Sequence, residues 1–287
     1  MPNIFCFGYG QVAKSYVNHL SKTNTKINLA YTSREIENKK NENSYKIFRL
    51  DENSYDDEII KELYNADFIL ISIPPVNGED IVIKHFSEKF KKLRTKCITY
   101  LSATSVYGNH DGEWVTEESS TEPKSENGIK RLKAEKNWIS LCKNLNLPIQ
   151  IFRLSGIYSS HNNILKRLKF GTAKIINKKN HFFSRIHLDD IANILIKSMS
   201  NFRSGEIFNI SDDRPASNEE ITLYAAGLMN IEIPERINVE NIENKMLKDF
   251  YKDSKKVSNE KMKNFFDYKL KFPSYVEGLK YIRDNST

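Results

Sequence analysis

The sequence predicts an α/β protein built on a doubly wound parallel sheet, and three observations support that prediction. The first half of the chain alternates short runs rich in β-branched and aromatic residues with amphipathic stretches of helical period. With 287 residues, the chain is long enough to bury a large core. Gly8 and Gly10 follow the first apolar run directly, at the point where the chain of such a fold passes from its first strand to its first helix.

Apolar runs predict six strands for this sheet. They are residues 3–7, 27–32, 45–50, 68–73, 97–102 and 149–154. Amphipathic stretches predict four helices between them, at residues 12–20, 55–64, 81–93 and 129–145. Crossovers between parallel strands are right-handed, and ligands bind such sheets beyond the carboxyl ends of the strands. We therefore expect functional residues directly after the strands.

The glycine-rich stretch after the first strand is the sharpest local signal. In "IFCFGYGQVAKSYVNHL", Gly8, Gly10 and Ala13 form a GxGxxA pattern between a strand and a helix, which is the context of a dinucleotide-binding fingerprint. The first glycine permits a tight turn, the second lets the main chain approach a pyrophosphate, and the alanine allows close packing. We expect the phosphates to bind at the helix N-terminus, at Gln11 and Val12.

The end of the second strand bears on the choice of nicotinamide cofactor. An acidic side chain there would bind the 2′-hydroxyl of NAD, whereas an arginine accommodates the 2′-phosphate of NADP. The sequence places Thr32, Ser33 and Arg34 at this point, and the first acid, Glu35, comes one position late. NADP is therefore the predicted cofactor, with NAD as the alternative. Asp51, after the third strand, is a candidate for a hydrogen bond to the adenine or for a helix cap.

Beyond residue 159 the alternation becomes less regular. Residues 161–171 and 184–199 indicate helices, and "GEIFNIS" at 205–211 indicates a further strand. The rest is mostly helical, and Pro273, a residue suited to a first turn, introduces the last helix.

This change of pattern suggests two domains. We expect a dinucleotide-binding Rossmann domain at residues 1–159, completed by about 181–211. Residues 160–180 and 212–287 would form a small, discontinuous and mostly helical lobe for the substrate.

Composition excludes several classes of protein. The mean hydropathy is −0.57, and no apolar run reaches the length of about 18 residues that a membrane-spanning helix needs. Residues 1–3 lead directly into the apolar "IFCF", without the charged region of a signal peptide, so we expect a cytoplasmic protein. Cys6, Cys97 and Cys142 are odd in number and far apart, which predicts buried thiols rather than disulfides.

The charge pattern narrows the class of ligand. The net charge is +7 and the pI is near 9.0. The basic residues are scattered and interleaved with acids, so they predict a solvated surface rather than a nucleic-acid site. The same positive field favours an anionic small molecule. The histidines and cysteines show no zinc-binding spacing, and we predict no metal site.

Seven motifs occur in a fixed order along nearly the whole chain. They are "GYGQVA", "ISIPP", "LSATSVYG", "RLKAEKNW", "FRLSGIYSS", "IHLDDIA" and "FNISDDRPAS". Together they resemble the extended short-chain dehydrogenase/reductase superfamily, and more narrowly its atypical NAD-dependent epimerase/dehydratase-like members, the YeeZ-like group. The resemblance implies a Rossmann domain with a smaller C-terminal lobe. It also implies a homodimer, and a substrate that is a sugar nucleotide or a similar hydroxyl or carbonyl compound.

The resemblance also assigns residues along the cofactor. Ile73 and Pro74 of "ISIPP" follow the fourth strand and are implied to line it. Leu154 and Ser155 of "FRLSG" are implied to line its nicotinamide end.

The catalytic positions of the superfamily have changed in this chain. Active members use a Tyr as the proton donor, a Lys four residues later that lowers the Tyr pKa and holds the ribose, and a Ser or Thr that orients the carbonyl. Aligning the "AE" of the YxxxKxxAE pattern on Glu135 places Asn127 at the Tyr position and Arg131 at the Lys position. Ala103 occupies the Ser/Thr position. Arg131 can still hold a ribose, but neither it nor Asn127 exchanges a proton near neutral pH.

Neighbouring side chains offer partial compensation. Of the hydroxyls around Ala103, we expect Thr104 and Ser105 to project towards the substrate, although they would serve equally well to satisfy main-chain groups. Tyr107 is either the structural tyrosine of "VYG" or a displaced acid. Lys130 would carry a charge into the site if the helix register slipped by one residue.

Two further clusters have simpler interpretations. His187, Asp189 and Asp190 in "RIHLDD" are typical of a helix start, where acids cap free amides. Arg214 would either meet an anionic group of the substrate or pair with a neighbouring aspartate.

Two functions remain open at this point. The first is an NAD(P)-dependent oxidoreductase, epimerase or dehydratase, and the second is a catalytically silent protein that binds NAD(P)H as a sensor or engages a partner. The missing proton donor favours the second, because general acid–base catalysis contributes roughly 10²- to 10⁴-fold. The glycine-rich loop and the substrate lobe favour the first.

Overall fold

A seven-stranded sheet organises the first half of the chain. The structure is a computed structural model that describes residues 1–23, 25–36, 45–76, 78–244, 248 and 250–285. With strands numbered along the whole chain, the sheet consists of β1 (Asn3–Phe7), β2 (Asn28–Ser33), β3 (Lys46–Arg49), β4 (Phe68–Ile71), β5 (Cys97–Ala103), β7 (Ile149–Leu154) and β11 (Ile207–Ile210). Their order across the sheet is β11-β7-β5-β4-β1-β2-β3.

The strand order confirms the predicted fold class. Strand β1 pairs in parallel with both β2 and β4, and the chain runs outward from it in both directions. A doubly wound sheet binds ligands at this point of reversal, beyond the carboxyl ends of the strands. The seventh strand, β11, comes from the run at 205–211 that the sequence predicts as a further strand.

The strands form where near-continuous apolar runs allow both faces of the sheet to be covered. All residues of β7 are buried, and so are all residues of β5 except the last. Parallel sheets covered on both faces have this composition. Strand β4 ends at Ile71, before the predicted boundary at residue 73, and the Ser72 hydroxyl donates to the carbonyls of Phe7 and Gly8 instead.

The predicted helices are present with shifted ends. The helices are α1 (Gln11–Ser21), α2 (Ile59–Asn65), α3 (Ile81–Phe86), α4 (Glu126–Leu145), α5 (Ile164–Lys169), α6 (Leu188–Ser200), α7 (Asn218–Met229), Glu260–Phe266 and Tyr275–Asn285. The single helix predicted at 81–93 is instead α3 followed by a 3₁₀ turn, Lys89–Lys92. Pro273 precedes the last helix, and Ser274 caps it by accepting from the Val276 N–H.

Two buried polar contacts fix helix α4 against the rest of the sheet region. The Trp138 indole donates to Asp80 Oδ2 at 2.7 Å, and Asp80 Oδ1 caps α3 by accepting from the amides of Val82 and Ile83. The carboxylate of Glu135 forms an ion pair with Arg153, at 2.9 Å between Nη2 and Oε2, with side chains only 1% and 5% exposed. Buried charges of this kind are tolerated only when they are paired and hydrogen-bonded.

The chain divides into two units. The first comprises residues 1–103, 130–153 and 191–208, and the second 104–129, 154–190 and 209–287. The division predicted from the sequence differs chiefly in residues 104–129, which it had placed in the Rossmann domain.

Short parallel strand pairs and helices make up the second unit. The pairs are β6 (Trp114–Val115) with β13 (Lys256–Val257), β8 (Gly156–Tyr158) with β10 (Arg185–His187), and β9 (Ile175–Asn177) with β12 (Arg236–Asn238). A core that includes Tyr158, Leu168 and Tyr275 packs α5, α7 and the last helix together. The second unit thus contains small sheets besides the helices that the sequence predicts.

The three cysteines are free and buried, as predicted. Burial raises the pKa of each thiol, Cys6, Cys97 and Cys142, to about 12, so none is a reactive thiolate at neutral pH. No helix within the described ranges combines the length and the apolar character that crossing a bilayer would require.

Candidate functional site

The turn after β1 has room only for glycine at position 8. Gly8 has φ +85°, and a Cβ there would lie 2.9 Å from both Ile73 Cγ1 and Ser72 Oγ. Its N–H donates to Thr32 Oγ1 at 2.9 Å. The turn is therefore closed from two sides, by the segment after β4 and by the end of β2.

The next residues leave open space above the start of α1. Gly10 is exposed, precedes the helix in an extended conformation, and would have nothing within 4 Å of an added Cβ. No side chain caps the helix, so its first amides, beginning at Gln11, remain available to an anion. Val12 and Ala13 turn inward and are buried. The geometry fits a pyrophosphate against the main chain of Gly10 and Gln11.

The residues at the end of β2 have distinct environments. Thr32 is only 1% exposed, and its hydroxyl accepts from Gly8, so it holds the glycine turn rather than facing a phosphate. Ser33 Oγ donates to the carbonyl of Glu35 at 2.9 Å. Arg34 is exposed and is the one cation of this trio. Tyr9 stacks on Tyr31 beside the same strand end, with ring centroids 3.9 Å apart.

Asp51 closes the turn that follows β3. Its Oδ1 accepts from the amides of Asn53 and Ser54, and its Oδ2 from the guanidinium of Arg49. These amide hydrogen bonds, and then the arginine, lower the pKa of Asp51 to about 2. The carboxylate caps this turn rather than helix α2, which begins only at Ile59.

The segment after β4 packs against the glycine turn. Ile73 is half-buried, joins the core of the first unit, and limits the space at Gly8. Pro74 is exposed. The two residues named from "ISIPP" therefore lie at the switch point of the sheet.

Helix α4 carries Asn127 and Arg131, the two residues that the sequence motif predicts at the superfamily's Tyr and Lys positions. Asn127 is exposed in the first turn of the helix, within the second unit. Arg131, within the first unit, is half-buried, and its Nη1 donates to the carbonyl of Leu101 at 3.0 Å and lies 3.4 Å from the hydroxyl of Tyr100. The guanidinium is thus anchored at the carboxyl end of β5.

The turn after β5 contains the proposed compensating hydroxyls. Thr104 and Ser105 are half-buried in the 3₁₀ turn Thr104–Tyr107. Tyr107 is fully buried, and its hydroxyl donates to Asn209 Oδ1 at 2.7 Å, which fits the structural tyrosine rather than a displaced acid. A Cβ at Gly128 would lie 2.6 Å from the Ser105 carbonyl, so the start of α4 packs directly on this turn.

The strand ends also leave buried hydroxyls. Leu154 and Ser155, at the end of β7, are buried. The hydroxyls of Ser102 and Ser155 are fully covered, and neither has a hydrogen-bond partner among the described residues. A buried hydroxyl without a partner carries a desolvation penalty that a ligand or a water would relieve.

The second unit contains a cavity that the sequence did not predict. It has a volume of about 260 Å³ and is lined by Asn163, Arg167, Arg185, Asn218 and Tyr275, among others. No acidic residue lines it within the described ranges. Burial lowers the pKa of Arg185 to about 10, which leaves the guanidinium charged at neutral pH. The cavity is therefore suited to an anionic group, and scattered arginines gave no sequence signal for it.

The other sequence candidates have structural roles. Asp190 accepts from Tyr268 Oη and from the Lys271 and Phe272 amides, so it ties the start of α6 to the chain before the last helix. The His187 ring packs on Phe272, with centroids 4.1 Å apart.

Arg214 does not form the ion pair expected with a neighbouring aspartate. Its Nη2 pairs with Glu220 at 2.7 Å, and its main-chain amide donates to Asp212.

No group of three potential metal ligands occurs in the described part of the chain.

Solved structures with the same fold were found over almost the entire chain. A conserved protein of unknown function from Silicibacter pomeroyi is 28% identical, with a TM-score of 0.87 over 99% of each chain. UDP-glucuronic acid 4-epimerase from Bacillus cereus, solved with NAD, is 17% identical, with a TM-score of 0.77 over 99% of this chain and 97% of its own. A dTDP-glucose 4,6-dehydratase from Bacillus anthracis, also solved with NAD, is 15% identical, with a TM-score of 0.79 over 99% and 96%.

These likenesses and the strand order define the fold. The chain has the Rossmann-type fold of the epimerase and dehydratase structures solved with NAD, as the sequence motifs predict. No protein-family model matches the chain, and no curated protein matches its sequence.

Proposed function

We propose that this protein binds a nicotinamide dinucleotide at the turn after β1, and that it is an oxidoreductase, epimerase or dehydratase for a sugar nucleotide or a similar hydroxyl or carbonyl compound. The observation that carries the proposal is the glycine turn: position 8 excludes a side chain, and position 10 is open. This is the steric pattern that a pyrophosphate on a helix N-terminus requires. The structural neighbours solved with NAD support the same assignment.

Different residues of the chain are proposed to bind different parts of the cofactor. Gly10, Gln11 and Val12 would hold the pyrophosphate, and Ile73 and Pro74 would flank it. Asp51 has its carboxylate engaged in a local turn, so we assign the adenine edge to the main chain near it. The motif resemblance proposes Leu154 and Ser155 for the nicotinamide end, and the buried Ser155 hydroxyl has no hydrogen-bond partner among the described residues. The bound nicotinamide supplies hydride transfer, and the protein positions it.

Arg34 supports NADP over NAD. It is an exposed cation directly after β2, where a 2′-phosphate would lie, and no acid precedes Glu35 at that strand end. Thr32 takes no part, because it is buried against Gly8. The phosphate contact is therefore proposed for Arg34 and Ser33 alone.

The cavity of the second unit supports an anionic substrate. Arg167 and Arg185 line it, and no acid does within the described ranges, while the Asp212 carboxyl acts on Arg185 from behind the lining. A phosphate of a sugar nucleotide would meet both arginines. Thr104 and Ser105, in the turn after β5, would contact the reacting end of the substrate.

A catalytically silent NAD(P)H-binding protein is the second candidate, and one observation favours it. At the position that the sequence motif predicts for the proton donor, Asn127 neither gives nor takes a proton near neutral pH, and Tyr107 is buried and donates to Asn209. A protein of this kind would keep the cofactor site and report redox state or engage a partner.

Titration with NADPH and NADH, followed by tryptophan fluorescence and thermal shift, tests the cofactor assignment. We expect both to bind, with NADPH the tighter. Gly10→Val is the matched variant, because its side chain points into open space and should block the pyrophosphate while the unfolding temperature stays near that of the parent. No shift with either nucleotide would refute both candidate functions.

The charge at position 34 has its own test. Arg34→Glu should weaken NADPH binding about tenfold, because the 2′-phosphate loses its cationic partner. NADH binding should stay the same or become tighter, because an acid at this strand end can accept from the 2′-hydroxyl. Lys26→Glu makes the same charge change at the other, exposed end of β2 and serves as the control. Equal losses for the two nucleotides would show that Arg34 does not read the 2′-phosphate.

A substrate panel separates the two candidates. NADPH oxidation with sugar nucleotides or aldehydes would establish an enzyme, and binding without turnover would establish the silent protein. Arg185→Met should abolish the thermal shift produced by UDP-glucose if the cavity receives the phosphates. An unchanged shift would remove the cavity from the proposal.

A further inference from the structure

The guanidinium of Arg131 is anchored before any ligand arrives. Its Nη1 donates to the Leu101 carbonyl at 3.0 Å and reaches the Tyr100 hydroxyl at 3.4 Å. No acceptor occurs for its Nε and Nη2 among the described residues. The Nη1 group of the guanidinium is thus bound to strand β5, and the Nε and Nη2 groups remain available to a ligand.

Tyr100 is built into the core beneath this arginine. It is fully buried on β5, and its ring lies 6.0 Å from that of Trp138 on α4. Burial raises the pKa of the phenol, so the hydroxyl remains neutral and offers its oxygen to Arg131. Asp80 and Glu135 are the carboxylates that act on the same phenol, and both are engaged, Asp80 with Trp138 and Glu135 with Arg153.

We propose that Tyr100 is a positioning residue that holds the Arg131 guanidinium in place for contact with the cofactor ribose. The inference rests on the proposed cofactor binding. A long side chain loses rotamer freedom when it is fixed by a ligand, and a chain already fixed by the protein loses less. Arginine suits this arrangement because its planar fork can bond the strand and a ligand at once, which a single ammonium group cannot do with the same geometry.

Tyr100→Phe tests the inference with the removal of one atom. The ring and its packing stay, and the acceptor for Arg131 goes. We expect the Kd for NADPH to rise about 3- to 10-fold, the range for one net hydrogen bond. Tyr16→Phe is the matched control: Tyr16 is also buried in the first unit, but its hydroxyl donates to Met199 Sδ, and its loss should leave the Kd unchanged.

A double-mutant cycle separates positioning from a general effect on the fold. In an Arg131→Met background, Tyr100→Phe should no longer change the Kd for NADPH, because Tyr100 acts only through Arg131. The same loss in both backgrounds, or no loss in the parent background, would overturn the inference. Titration of the parent separates failure of this inference from failure of the cofactor proposal. If the parent binds neither NADPH nor NADH, the cofactor proposal itself has failed.

A measurement on the cofactor-free parent keeps the inference testable even if a variant does not fold. Rotation of the Arg131 guanidinium, followed by ¹⁵N NMR of its side-chain nitrogens, should be restricted compared with the exposed Arg34. Free rotation of Arg131 in the parent would overturn the inference, and restricted rotation that is lost in Tyr100→Phe would support it directly.

Discussion

At Gly8 the surrounding chain leaves no room for a side chain, whereas at Asn127 the side chain is exposed in the first turn of helix α4. The first position belongs to the proposed cofactor site, and the second is the position that the sequence motif predicts for the superfamily's proton donor. The steric demand at Gly8 comes from the fold itself, because Ile73 and Ser72 press on the turn. Nothing comparable acts at Asn127. The side chain at position 127 can therefore change without the steric consequences that any side chain at position 8 would have.

The tolerance expected at Asn127 does not extend to the rest of helix α4. A change on the buried face of the same helix, at Glu135, should have the largest effect on stability. Glu135→Ala leaves Arg153 as an uncompensated buried charge, which should destabilise the protein by about 3–5 kcal/mol in urea unfolding. Adding Arg153→Met should recover much of that loss. If the single variant costs less than 1 kcal/mol, the pair behaves as a surface ion pair and α4 is not fixed by it.

The glycine turn should come next in the size of its effect. Gly8→Ala forces a Cβ into a left-handed conformation at 2.9 Å from Ile73 and Ser72, which should cost about 1–3 kcal/mol. Gly10→Ala, in an ordinary extended conformation with open space around it, should cost less than about 1 kcal/mol. Equal costs for the two variants would remove the steric basis of the comparison.

Asn127 should tolerate change with little effect on stability. Asn127→Tyr should alter the free energy of unfolding by no more than about 0.5 kcal/mol, because the side chain is exposed. Combined with Arg131→Lys, it restores the Tyr and Lys of the superfamily pattern and should create NADPH-dependent turnover of a carbonyl compound that the parent lacks. A parent that already turns over at the same rate would show that another group donates the proton.

The smallest expected effect concerns pH and the turn after β3. The pKa of Asp51 is lowered to about 2 in the folded protein, below its usual value of about 3.9. A lowered carboxylate pKa stabilises the fold above the unfolded value, and this contribution is lost as the pH falls from about 4 to about 2. Asp51→Asn should therefore lower the stability near neutral pH and flatten the stability curve in that window, so that the curves of variant and parent converge as the pH falls to about 2. A parallel curve for the variant would mean that other carboxylates dominate there.

The sequence predicted the fold and the glycine turn because both depend on local patterns. Each apolar run, the GxGxxA pattern and the apolar strand β11 can be read from a few consecutive residues of the chain. Contacts between residues far apart in the chain could not be predicted from the sequence. Nothing in it indicates that the Gly8 amide donates to Thr32, or that Arg131 donates to Tyr100 and Leu101. The cavity with Arg167 and Arg185 was missed for the same reason.

The boundaries of α3 show a different limit. Phe86, Phe90 and Leu93 keep a helical spacing and are all buried, so the pattern predicts one helix over 81–93. The chain instead leaves the helix after Phe86 and continues as a 3₁₀ turn, which buries the same residues. Hydrophobic spacing identifies which residues are buried, but it does not distinguish an α-helix from a helix followed by a 3₁₀ turn.

The hydrogen bond between Trp138 and Asp80 gives the protein a built-in optical probe. The chain has two tryptophans, and the other, Trp114, is 55% exposed in the second unit. Their emission should therefore separate into a blue, quencher-resistant component from Trp138 and a red component that iodide quenches. In a Trp114→Phe protein all of the tryptophan emission would come from Trp138 on α4, so the unfolding of the first unit could be followed alone, with no added label.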